Sequence, residues 1–145
     1  MTAGYSGTPL AQKLNLKDGM RVWWEGMPGS VRDEIAAAGL TFHLLDAPET
    51  SIDVAHIFVT KRADLDARLH QLMPLLDPAG MIWVSWPKKA SKVPTDITED
   101  VIRDISLPMG LVDVKVCAVD ATWSGLKLVV RRHNRDVHPQ PGGPA

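Results

Sequence analysis

The chain has 145 residues, 45% hydrophobic and 23% charged, a balance that supports one packed core and excludes a disordered polymer. Its net charge of −1 supplies no global field toward nucleic acid or an anionic membrane, so either partner would need a local patch. The lone Cys117 excludes an internal disulfide and a thiolate zinc cluster, and it fits a reducing, cytoplasmic setting.

Met1 to Leu10 carries neither the basic start nor the apolar run of a secretory signal, and no apolar stretch is long enough to span a bilayer. Thr8 before Pro9 reads as a helix start, with Leu10 and Leu14 on one face and Asp18-Gly19 as the stop. Met20 to Glu25 reads as a buried first strand. Ser30 is expected to open a helix with Asp33 and Glu34 in its first turn, and Gly39 to close it. Thr41 to Leu45 forms the second strand.

Asp53 to Thr60, rich in β-branched and aromatic residues, reads as a strand buried on both faces. Leu65, Leu69, Leu72 and Leu76 make one helical stripe, weakened at its end by Pro74. The turn Asp77-Pro78-Ala79-Gly80 leads into a strand from Met81 to Trp86. Asp96 with Glu99 has the spacing of a capping box for a helix reaching Ser106, stopped by Pro108 and Gly110. Val112 to Asp120 and Leu126 to Arg132 alternate as strands around a turn at Ala121 to Gly125, which predicts a closing antiparallel hairpin.

Repeated strand-helix-strand alternation predicts parallel strands with right-handed crossovers. The fold class expected is therefore α/β, a three-layer Rossmann-like sheet, mostly parallel with an antiparallel C-terminal hairpin and shortened after strand two. Residues 1–132 form one domain in this reading, and 133–145, polar and rich in Pro and Gly, a disordered tail.

Leu14-Asn15-Leu16-Lys17-Asp18-Gly19-Met20-Arg21-Val22 resembles the approach to the first strand of class I S-adenosylmethionine methyltransferases. Leu76-Asp77-Pro78-Ala79-Gly80-Met81-Ile82-Trp83-Val84 is similar to the entry into that family's fifth strand, and the hairpin to its last two strands. The stretches Gly4-Tyr5-Ser6-Gly7-Thr8-Pro9-Leu10-Ala11 and Trp86-Pro87-Lys88-Lys89-Ala90-Ser91-Lys92-Val93-Pro94-Thr95-Asp96 resemble a small bacterial family known as a domain of unknown function. Asp113 to Asp120 and Trp123-Ser124-Gly125-Leu126-Lys127 extend that likeness, which implies a fold and no activity.

In the methyltransferase family the first strand ends in an acid and a glycine-rich turn lets backbone amides approach the cofactor. Here Trp24 holds the acid's place. Gly26 fits the first glycine, while Pro28, with no amide hydrogen, takes the second and Ser30 the third. Asp46 lies 20 residues after Gly26, near the spacing at which an acid meets ribose hydroxyls, although Asp46-Ala47-Pro48 also suits a turn. No room for a helix and strand remains between Asp46 and Asp53, so the adenine wall is absent.

Open α/β sheets bind ligands beyond the carboxyl ends of their strands. Trp86 and Trp123 are expected there as flat faces, Lys88, Lys89 and Lys92 as cationic donors, and Ser91, Thr95 and Ser124 as hydroxyls, with Asp120 at the hairpin. Lys115 and Lys127 lie inside strands and become functional candidates if neither pairs with Asp113 or Asp120. His43 and His56 stand singly, without ligand spacing, so no metal site is expected.

Three functions follow. The first is a non-catalytic binding or regulatory module for a small anionic ligand or a protein partner at the Trp86/Lys88/Trp123 edge. The second is a divergent S-adenosylmethionine-dependent methyltransferase, supported by layout and Asp46 and opposed by Trp24 and Pro28. The third is a single-stranded nucleic-acid binder that uses the lysine loop with tryptophan stacking.

Overall fold

A computed structural model describes residues 8–131; the Gly4-Tyr5-Ser6-Gly7 stretch and the tail from His133 lie outside the described residues. The elements in chain order are α1 (Leu10–Lys13), β1 (Arg21–Glu25), α2 (Gly29–Ala36), β2 (His43–Leu44), β3 (Ile52–Phe58) and α3 (Arg62–Leu72). They continue with β4 (Leu76–Pro87), α4 (Glu99–Ser106), β5 (Leu111–Ala118) and β6 (Trp123–Val130).

The strands form one sheet of order β2-β1-β3-β4-β6-β5. Strands β2, β1, β3 and β4 run parallel, and β6 joins them antiparallel with β5 outside it. This is the Rossmann-like, methyltransferase-type α/β fold with its antiparallel C-terminal pair. Alternation along the strands sends Ala55, Ile57, Ile82, Val84, Leu126 and Leu128 to the face covered by α3 and α4. Val54, Phe58, Met81 and Trp83 go to the opposite face, beneath α1 and α2. Three layers result because β3 and β4 are apolar on both sides and need a helix on each.

Local chemistry departs from the expected signals at three places in the first half of the chain. Pro9, not Thr8, precedes α1, and no side chain caps its amides. Pro28 precedes α2, so the first turn is Gly29 to Arg32 and holds no acid; Asp33 and Glu34 fall one turn later. Strand β2 is only two residues long and exposed, because the chain turns back at Asp46 toward β3. Arg21 holds that short return, donating to the carbonyls of Ser51 and Thr50 and to Glu49.

Asp77 to Gly80 turns as expected but inside β4. Ile52 pairs with Leu76 and Val54 with Met81, so the turn is extruded between two paired segments of one strand. The Ala79 amide donates to the Asp77 carboxylate at 2.9 Å. A Cβ on Gly80 would stand 2.8 Å from the Ile52 carbonyl oxygen, a contact only glycine permits.

The capping box is also redistributed. Thr98 caps α4, its hydroxyl accepting from the Val101 amide. Asp96 instead accepts from the Arg62 amide at 2.6 Å and so caps α3, while Thr95 donates to the Thr60 carbonyl at 2.6 Å. One loop thereby closes the carboxyl end of β3 and starts two helices.

Candidate functional site

The chain leaves β1 for β2 on one side and returns to β3 on the other, so the sheet's switch point lies beyond the carboxyl ends of β1 and β3. Gly26 makes the turn there at φ +71°, where an added Cβ would lie 3.1 Å from the Phe58 carbonyl oxygen. Glu25 accepts from Arg68 Nε of α3, and this ion pair raises the arginine's pKa, first through that hydrogen bond. The amides of Val31 and Arg32 both donate to the Pro28 carbonyl, whereas those of Gly29 and Ser30 have no protein acceptor among the described residues.

Trp24 occupies the place of the acid. Its half-buried ring meets Phe42 edge-on at 6.1 Å and carries the Arg32 guanidinium 5.2 Å from its centroid. Asp46 is exposed, one residue past the contact between the Leu45 amide and the Val22 carbonyl, and no hydrogen bond or ion pair among the described residues holds its carboxylate.

The two tryptophans expected to converge do not. Trp86 is 8% exposed and packs into the core under α3 and α4. Trp123 packs against the opposite core, edge-on to Phe58 at 5.1 Å. The cause is register: Trp86 pairs with Ser124, so Trp123 is one residue out of step and faces the other way.

Most of the polar residues around them serve the turns. Asp120 accepts from the amides of Thr122 and Trp123, both at 2.8 Å. Ser91 donates to the Lys88 carbonyl at 2.6 Å, and Lys92 holds the left-handed position at φ +61°. Ser124 lies within β6, its backbone in register with Trp86 and Ala118, while Lys89 and Lys92 are exposed and Lys88 half-exposed.

Lys115 and Lys127 pair with neither Asp113, which accepts from Arg103, nor Asp120. Lys115 donates to the Lys13 carbonyl at 2.6 Å and Lys127 to Asn15 Oδ1 at 3.1 Å, while the buried Trp83 indole donates to the Leu14 carbonyl at 3.0 Å. Three donors from the sheet thus serve the carboxyl end of α1, whose last carbonyls have no partner in the helix itself. Burial, then Lys115 and Lys17, pushes the Lys127 ammonium below its usual pKa. Burial raises the Cys117 thiol more than Lys13, Lys115 and Lys88 lower it, so the thiol stays protonated.

A buried pair escaped sequence reasoning. His56 Nε2 and Ser85 Oγ share a 2.7 Å hydrogen bond with both side chains out of solvent, and the imidazole stacks on Phe58 at 4.6 Å. Burial lowers the His56 pKa to about 3. The histidine had no local signal of a partner, because Ser85 reaches it only through the β3–β4 register. Arg103 also pairs with Glu99 at 2.9 Å, a contact the capping-box reading of Glu99 left out although the i, i+4 spacing signals it. No group of three or more metal-ligating side chains occurs among the described residues, and no helix among them is long and apolar enough to cross a membrane.

No family model matches the chain, and no curated protein matches it. Solved structures do. A SAM-dependent methyltransferase from Aquifex aeolicus aligns with TM-score 0.57 at 17% identity, over 83% of this chain and 88% of that one. The ribosomal protein L11 methylase of Lactobacillus delbrueckii subsp. bulgaricus aligns with TM-score 0.56 at 11% identity, over 85% and 78%. Magnesium protoporphyrin IX methyltransferase from Synechocystis, solved with bound SAM, aligns with TM-score 0.53 at 13% identity, over 83% and 74%. At these identities the likeness establishes the fold.

Proposed function

We propose that this chain is a divergent S-adenosylmethionine-dependent methyltransferase whose ligand crevice is the β1–β3 switch point. The observation that carries the reading is the strand order, which opens that crevice where structural neighbours named as methyltransferases share the layout. The residues present fit an adenosyl group in part. Asp46 has a free carboxylate for ribose hydroxyls, and the amides of Gly29 and Ser30 suit the ligand's carboxylate at the start of α2. When bound, the cofactor would supply an electrophilic methyl group on a sulfonium. The chain's own contribution is to bind it and to shape the turn through Gly26.

Calorimetric titration with S-adenosylmethionine and S-adenosylhomocysteine tests this directly. Saturable heat that Asp46→Ala weakens supports it, and no heat at millimolar ligand ends it.

Trp24 and Pro28 favour a second reading, in which the same edge holds an anionic ligand without catalysis. Lys88, Lys89 and Lys92 with the Trp123 ring would then form the contact, and Trp86 would take no part. A thermal-shift response to nucleotides or phosphorylated metabolites, with none to S-adenosyl compounds, selects this reading.

A further inference from the structure

Strand β5 ends the sheet, so one of its edges has no strand beside it among the described residues. Val114 and Val116 are 54% and 53% exposed along it, unusual for valines in a strand, and Ala118 is exposed as well. Val116 pairs with Leu126 and so lies on the α3/α4 side, beyond the reach of α4. Lys115 pairs with Lys127 on the α1 side, where Lys17 also acts on Lys127. Among the described residues, no ion pair to a carboxylate is found for Lys17, Lys115 or Lys127. The edge therefore offers apolar surface on one side and unneutralised positive charge on the other.

We propose that the β5 edge takes up an extended, acidic segment of a partner protein as a seventh strand, with acids facing Lys115, behind which Lys127 and Lys17 add positive charge, and apolar residues facing Val116. Backbone pairing provides the adhesion and the alternation of side chains provides the selectivity.

A second copy of the chain does not fit. Antiparallel self-pairing centred on Val116 sets Lys115 of each copy beside the other's lysine patch, and like charges across a strand pair are unfavourable. The bulge between Asp113 and Lys115 bends the strand, and Lys13 Nζ reaches the Ala118 carbonyl at 3.5 Å, so pairing with any added strand is confined to the few residues between them. A short stretch around Val116 stays open to a segment of opposite charge.

The test uses the full chain and a labelled octapeptide of alternating Glu and Val, with alternating Lys-Val and Glu-Ser octapeptides and an oligothymidylate as controls. The proposal expects saturable binding of the Glu-Val peptide alone, slowed hydrogen exchange in β5 amides, and about tenfold weaker binding on Lys17→Glu or Val116→Lys. Both substitutions lie on the surface and leave the carboxyl-end donors of α1 in place. Equal binding of Glu-Ser peptide or oligothymidylate without β5 protection would make the lysines a general polyanion patch and overturn the proposal. A chain dimer with β5 amides already protected would assign the edge to a second copy and overturn it too.

Discussion

Acidification from pH 8 to pH 5 is expected to destabilise the fold through His56. The unfolded imidazole titrates near its ordinary value of 6.5, whereas the folded one is held neutral, its pKa lowered by burial to about 3. Between these values the unfolded state binds the extra proton, so the histidine's contribution is fully present above about pH 7 and is lost as pH falls toward 3. At pH 5 the loss is about 2 kcal/mol, from RT times the logarithm of the unfolded state's extra proton binding. Among the described residues the ring's neighbours bring no counter-charge: Ser85 supplies a hydroxyl, and Phe58 and Trp83 supply rings.

Urea unfolding followed by tryptophan fluorescence at pH 8, 7, 6 and 5 measures the effect, with His56→Gln as the partner that cannot titrate. The wild type should lose about 2 kcal/mol more than the variant over that interval, a drop of roughly 4–8 °C in Tm. Parallel pH profiles for the two proteins, or an NMR titration of folded His56 near pH 6.5, would refute the reasoning.

Gly26→Ala forces a side chain into a positive-φ turn against the Phe58 carbonyl, and chemical denaturation should register a loss of about 1–3 kcal/mol. Asp96→Ala removes the acceptor for the first amide of α3 and should cost about 1 kcal/mol, while Asp96→Asn should recover most of it. Trp83→Phe keeps the ring but strands the buried Leu14 carbonyl, for an expected loss of about 1–3 kcal/mol and faster hydrogen exchange in α1. Lys127→Met, which replaces a half-buried ammonium by an apolar chain of similar reach, should change stability less than Trp83→Phe does; a larger loss would mean that the Asn15 contact governs α1.

Periodicity alone located the elements. The Leu65, Leu69 and Leu72 stripe, the apolar run of β3 and the alternation of β5 and β6 each encode which side chains must leave water, and that is a local property. The parallel core and its antiparallel ending followed from the order of those elements, because crossover length and handedness leave few alternatives. The tight turn at Gly26 was readable too, as were Trp24 and Pro28 that depart from the methyltransferase pattern.

Tertiary structure decided everything that depends on register between strands distant in sequence. Trp86 and Trp123 looked like neighbours in the chain's loops, yet one residue of phase along β6 sent their rings to opposite sides of the sheet. The same pairing joined His56 to Ser85 and turned Lys115, Lys127 and Trp83 toward the carboxyl end of α1. Burial and hydrogen-bond partners belong to pairs of residues, and a pair is fixed only when the backbone between its members has folded.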